Sequence, residues 1–193
     1  MSMEMDTITQ FLTEPLVTPP KSRETAPLPI LRKARLSDVP SLFKLIREYA
    51  AEEVMLPRAL PELYENIWEF TVAEKDGQLA ACGALRLYNE EVAEIRSLCV
   101  DPQRKTSGLG RAVTRQLMRE ADDMGLKRVF ALTVVPEFFS KMGFYPVERG
   151  ALPQKVWRDC LQCEKYFRCD EVAVVFDLRN LPGKSAGANS QAT

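Results

Sequence analysis

The run Ala93–Gly110, AEIRSLCVDPQRKTSGLG, decides the fold. It begins inside Val92–Val100, whose alternating and mostly apolar or β-branched residues predict a strand. Asp101-Pro102 stops that strand, because proline cannot continue a ladder and biases its predecessor away from helix. A short polar segment with glycines at 108 and 110 then runs into a long helical pattern. The N–H groups of a first helical turn and the positive end of the helix dipole converge on one point there. Strand, glycine turn and helix start together predict a place to hold a phosphate or pyrophosphate.

Outward from this run, the helix from Gly108 to about Met124 sets Leu109, Val113, Leu117, Ala121 and Met124 on one face, and Gly125 ends it. Arg128–Thr133 predicts another strand, Pro136–Lys141 a short helix before Gly143, and Glu171–Leu178 the last strand. On the other side, Ile30–Arg35 predicts the first strand. Ser37 is a good N-cap for a helix carrying Val39, Leu42, Phe43, Ile46 and Tyr49. Pro61–Ile67 predicts a second helix, and Phe70–Glu74 and Leu79–Tyr88 a hairpin turning at Asp76-Gly77. Residues 1–29, rich in Pro, Thr and Ser, and residues 182–193 predict disordered tails around a domain at 30–181.

The 193 residues suffice for one core, and 46% hydrophobic with 27% charged residues is globular composition. A net charge of −1 gives no reason to expect a nucleic-acid or membrane surface. No apolar run is long enough to span a bilayer, and five cysteines without a secretion signal point to a reducing cytoplasm. The chain has no histidine, which removes every histidine-based triad, general base and metal site.

Lys105-Thr106-Ser107-Gly108-Leu109-Gly110 is neither a P-loop, lacking Gly-Lys-Ser/Thr, nor a three-glycine dinucleotide fingerprint. It resembles the acyl-CoA signature of the GCN5-related N-acetyltransferase (GNAT) superfamily, Arg/Gln-x-x-Gly-x-Gly/Ala, with Lys105 in the first position and Val100-Asp101-Pro102 as lead-in. Phe138-Phe139…Gly143-Phe144 fits the superfamily's late helix-and-strand motif. Leu56-Pro57-Arg58, Leu63–Ile67, Glu94–Leu98, Leu152–Trp157 and Cys160…Cys163…Cys169-Asp170-Glu171 resemble one branch, the short amino-acid N-acetyltransferases of N-acetylglutamate synthase type. The resemblance spans nearly all of Ile30–Leu178 and includes no preceding amino-acid kinase domain.

The resemblance implies an α/β (α+β) fold, a mixed and strongly twisted sheet with helices on both faces and two splayed central strands. It implies acetyl transfer from acetyl-CoA, a co-substrate, to the α-amino group of L-glutamate by direct attack, opening arginine biosynthesis, with no metal expected. Leu98, Cys99, Val100, Lys105, Thr106, Ser107, Gly108, Leu109, Gly110, Arg111 and Phe139 are the implied cofactor contacts. Arg58, Arg96, Arg168 and Lys155 are candidate cations for the acceptor's two carboxylates, because guanidinium forks suit carboxylates.

Glu94 is the candidate general base; ion pairing with neighbours such as Arg96, on the same face of a regular strand, is the alternative. Phe139 stands where the superfamily often has a proton-donating tyrosine, so the thiolate leaves unassisted, or solvent or another hydroxyl serves. Cys99 raises an acyl-cysteine route, against which stand the lack of histidine and the frequency of buried cysteine. Cys160, Cys163 and Cys169 are either ordinary thiols or a metal or redox cluster. Two other functions stay open: acetylation of another small amine or protein amine, and acyl-CoA binding without catalysis. The sequence leaves the oligomeric state open, a homodimer included.

Overall fold

The computed structural model describes residues 28–105, 107–152, 160, 161, 163 and 166–183. Of the expected tails, 1–29 and 182–193, residues 1–27 and 184–193 lie outside the described residues, as do Thr106 and Lys155. Among the described residues seven strands form one sheet: β1 (Ile30–Lys33), β2 (Phe70–Lys75), β3 (Gln78–Leu87), β4 (Val92–Val100), β5 (Arg128–Thr133), β6 (Tyr145–Pro146) and β7 (Val172–Asp177). Their order is β1-β2-β3-β4-β5-β7-β6, antiparallel throughout except for the parallel pair β4–β5.

Strand alternation divides the apolar residues between two faces. Helix α3 (Leu109–Asp123) lays Leu109, Val113, Leu117 and Ala121 on a face made of Ala73, Ala81, Ala93, Ile95, Val129 and Ala131. Helix α4 (Pro136–Ser140) adds Phe139 to that core. On the opposite face α1 (Val39–Ala51) and α2 (Leu60–Glu65) pack Val39, Leu42, Ile46 and Leu63 against Val72, Cys82, Ala84 and Cys99. A smaller cluster of Tyr88, Phe130, Leu152, Ala173 and Val175 covers the second half of that face. The mixed sheet with helices on both faces is the architecture implied by the sequence, and β4 and β5 fall at the predicted residues.

Three local differences have physical causes. β1 ends at Lys33 because the Asp38 carboxylate accepts a hydrogen bond from the Arg35 N–H at 2.7 Å and turns the chain into a short 3-10 segment, Leu36–Asp38. Asp38, not Ser37, therefore organises the entry to α1, and Arg32 grips the same carboxylate at 2.7 and 3.0 Å. β6 was not visible in the pattern, being two residues long; its proline is tolerated on an edge strand. The Asp76-Gly77 turn forms as expected, with φ of +54° and +71°, the left-handed pair that a two-residue hairpin requires.

Two irregularities in β4 create the site. Opposite Gly83 the strand carries two residues, Ser97 and Leu98, with Ser97 at φ +51°. This bulge reverses the alternation, so that Ile95 before it and Leu98 and Val100 after it all face α3, while Cys99 turns toward α1. Pairing with β5 is confined to Val92, Ala93 and Glu94 opposite Arg128, Val129 and Phe130. Beyond Glu94 the two parallel strands part.

Candidate active site

A cavity of ≈ 780 Å³ occupies the parting of β4 and β5. At one end it is lined by Lys105, Ser107, Gly108, Leu109, Gly110 and Arg111. Gly108 caps α3 in the left-handed region, φ +79°, which a glycine adopts without strain. The first intrahelical bond runs from Ala112 N–H to the Gly108 carbonyl at 3.0 Å, so the amides before it face the cavity end without intrahelical acceptors. Gly110 lets the helix approach the strand: a Cβ there would stand 3.3 Å from Val100 Cγ2 and 3.6 Å from Phe138 Cε2. Lys105 Nζ lies 5.3 Å from the centroid of the Tyr49 ring. The Tyr49 hydroxyl donates to the Val100 carbonyl at 2.6 Å, tying α1 to the end of β4, and burial pushes its pKa up.

The middle of the cavity is formed by Ile95, Ser97, Leu98 and Val100 of β4 and by Leu132, Thr133, Val134 and Val135 at the end of β5. Backbone groups of β4 that would have bonded β5 beyond Glu94 look into this gap. Phe138 and Phe139 pack edge to face with centroids 5.1 Å apart and supply an apolar wall.

At the far end stand Met55, Leu56, Arg58 and Arg96, and Glu52 and Glu171 also line the cavity. Arg58 is steadied by an ion pair with Glu62 one turn along. Arg96 has Glu69 Oε2 at 3.5 Å and Glu94 Oε2 at 4.0 Å, with only 14% of its side chain exposed. Glu69 also accepts from Arg86 at 2.6 Å, and Glu94 accepts from the Tyr88 hydroxyl at 3.0 Å. Arg96 is thus presented to the cavity from a buried, charge-balanced bed.

One continuous space therefore runs from Gly108 past Leu98 to Arg58 and Arg96. It gathers eleven of the residues singled out from the sequence: Arg58, Arg96, Leu98, Val100, Lys105, Ser107, Gly108, Leu109, Gly110, Arg111 and Phe139. Glu94 does not line it; its carboxylate sits behind Arg96. The Cys99 side chain, turned away by the bulge, has Sγ 3.5 Å from Met55 Sδ. Its hydrogen bond with Cys82 and its burial hold that thiol far above the usual range, so it offers no thiolate. Arg168 is exposed and outside the lining. Among the described residues no three Cys, Asp or Glu side chains gather to hold an ion.

Tyr49, Glu52, Thr133 and Glu171 also line the cavity and are absent from the candidates the sequence offers. The sequence pattern marks Tyr49 only as an apolar face position of the first helix. Glu52 just past α1 follows no motif, Glu171 just before β7 closes the cysteine-containing motif without a role read from it, and only the closure of the sheet brings both to the cavity.

A model of the Acetyltransferase (GNAT) family matches residues 39–150. An uncharacterized N-acetyltransferase of Chlorobaculum tepidum is 38% identical over 75% of this chain and 94% of its own length. An amino-acid acetyltransferase of Mycobacterium tuberculosis is 38% identical over 72% of this chain and 79% of its own. Among solved structures, N-acetylglutamate synthase from Neisseria gonorrhoeae, complexed with coenzyme A and N-acetyl-glutamate, superposes with a TM-score of 0.73 at 28% identity. That match covers 79% of this chain and 35% of the synthase. A Mycobacterium tuberculosis protein in complex with CoA and NLQ gives a TM-score of 0.67 at 31% identity, covering 77% of this chain and 99% of that one.

Proposed function

The chain belongs to the acetyltransferase (GNAT) family and is an enzyme of acyl transfer, and from that premise we propose that it moves the acetyl group of acetyl-CoA onto the α-amino group of L-glutamate. The observation that carries this reading is the single cavity with helix amides and Lys105 at one end and Arg58 and Arg96 at the other. The kinship to an amino-acid acetyltransferase, and to a synthase holding coenzyme A and N-acetyl-glutamate, supports it.

In this reading the diphosphate of the co-substrate rests on the amides of 108–111, with Lys105 and Arg111 beside it. The pantetheine follows Leu98, Cys99 and Val100 of β4 and packs on Phe139. Arg58 and Arg96 hold the acceptor's carboxylates. The amine nitrogen attacks the thioester carbon, the carbon–nitrogen bond forms, and the carbon–sulfur bond breaks. Amides of β4 beyond its pairing with β5 stabilise the oxyanion. Glu94 accepts the ammonium proton through water passing beside Arg96. Phe139 has no proton to give, so the thiolate leaves to solvent. The reaction opens arginine biosynthesis in the cytoplasm.

Release of CoA thiol from acetyl-CoA across a panel of amino acids tests this. Turnover with glutamate well above all others is expected. CoA binding without turnover of any amine would sink it. Glu52 and Glu171 among the lining residues favour a cationic acceptor as the competing reading, so lysine and ornithine belong in the panel.

A further inference from the structure

Beside the Glu171 wall lies a group of thiols that acetyl transfer leaves unused. All five cysteines are present as thiols. The Cys163 N–H donates to the Cys160 carbonyl at 3.0 Å, closing a turn across Cys160–Cys163. Such a turn keeps its end Cα atoms within about 7 Å, and a disulfide spans Cα separations of about 4.4–6.8 Å. Both cysteines are half-buried. Cys160 packs against the cluster of Tyr88, Phe130 and Leu152. Burial pushes the Cys160 thiol up, and Cys169, Glu171 and Cys163 stand near enough to push it further.

Cys169 is held differently. Its Sγ lies 3.8 Å from Glu171 Oε2, and Arg149 Nη2 donates to the carbonyls of Cys169 at 3.1 Å and Glu171 at 2.7 Å. Arg149 and Glu171 thus clamp this third thiol, whereas the first two share one turn.

We propose that Cys160 and Cys163 form a reversible disulfide under peroxide and that this bond weakens acceptor binding at the wall beside Glu171. Burial keeps Cys160 protonated, so Cys163 is the thiol that peroxide oxidises to a sulfenic acid, releasing water. The other thiol then condenses with it, forming the sulfur–sulfur bond and releasing a second water. Each sulfur gives up one electron, and the peroxide oxygen–oxygen bond is reduced. Contraction of the turn reaches the cavity by two routes. Cys160 packs in the cluster of Tyr88, whose hydroxyl holds Glu94, and Cys169 bonds the Glu171 carboxylate that lines the cavity. The helix amides at the other end share neither route, so the effect falls on the acceptor.

The kinetic part rests on the proposed acetyl transfer; the covalent part does not. Full-length enzyme is treated with hydrogen peroxide, alkylated and digested with trypsin. Cys160 and Cys163 share the peptide Asp159–Lys165, while Cys169 falls in Cys169–Arg179. Loss of two hydrogens within the first peptide, reversed by dithiothreitol, is expected. With it comes a severalfold rise in the acceptor KM at unchanged acetyl-CoA KM. Cys160→Ser and Cys163→Ser should abolish both, and Cys169→Ser should leave the linked peptide intact. A link from either cysteine to Cys169, no link at all, or a link with unaltered acceptor KM would each overturn the proposal. If glutamate is not turned over, the linked peptide still reports on the thiols, and the KM is read with the amino acid that is.

Discussion

The two ends of the cavity are built in opposite ways. The end at α3 is made from one unbroken stretch of chain, Lys105–Arg111, and works through backbone amides that any sequence with the right glycines presents. The end at Arg58 and Arg96 is assembled from side chains on the loop after α1, on β4 and on the turn before β7. A backbone site tolerates loss of a side chain, because the groups that bind remain. A side-chain site does not, because each cation is itself the contact and its neighbours were arranged to hold it. The difference predicts where substitutions act and on which substrate.

The largest effect is expected at Glu94→Gln, which keeps shape and the Tyr88 contact but removes the base. Turnover should fall by about 10²–10⁴-fold with both KM values little changed. Steady-state kinetics decide, and turnover reduced less than tenfold would return Glu94 to a purely structural role as partner of Arg96. Next comes Arg58→Ala. Loss of a charge-assisted contact of about 1.5–3 kcal/mol should raise the acceptor KM by about 10–100-fold. The acetyl-CoA KM should stay level; equal rises in both would dissolve the contrast between the two ends.

A third prediction concerns the bulge that joins them. A Cβ on Gly83 would meet Leu117 Cδ1 and Val113 Cγ1 at 3.0 Å, and Leu98 Cδ1 at 3.3 Å. Gly83→Ala should therefore push α3 off the sheet and cost about 1–3 kcal/mol in denaturant unfolding. Because Leu98 lines the cavity and α3 carries the amides, both KM values should rise together in this variant, unlike Arg58→Ala.

The same contrast explains what could be read before folding. The strand Val92–Val100, its stop at Asp101-Pro102 and the two glycines at the start of α3 lie within twenty residues, and each acts on the backbone beside it. Local chemistry sufficed to place them. The bulge was not legible, since serine at 97 carries no preference for φ +51° and Gly83, which stands opposite it, lies on another strand. Nor were Glu52 and Glu171, which reach the cavity only when α1 and β7 dock on opposite sides of the parted strands. Cys99 shows the cost of assuming regular alternation. On an unbulged strand it would share a face with Ala93 and Ile95, and instead it lies in the core beneath α1.

The smaller effects belong to the backbone end. Lys105→Ala removes a charge and its contact with Tyr49, and the acetyl-CoA KM should rise only about three- to fivefold, the size of an exposed cation's contribution. A far larger rise would mean that the lysine, rather than the amides, grips the diphosphate. Smallest of all should be Cys99→Ala. Its thiol is held protonated by Cys82 and by burial and points away from the cavity, so turnover should be unchanged, with only about 1 kcal/mol lost from stability. Initial-rate lines at varied acetyl-CoA and acceptor should intersect, in the variant as in the wild type, because both substrates occupy the cavity together. Parallel lines in the wild type and loss of turnover in the variant would mean that an acyl-cysteine forms. The bulge would then have to relax during catalysis to bring Cys99 round to the thioester.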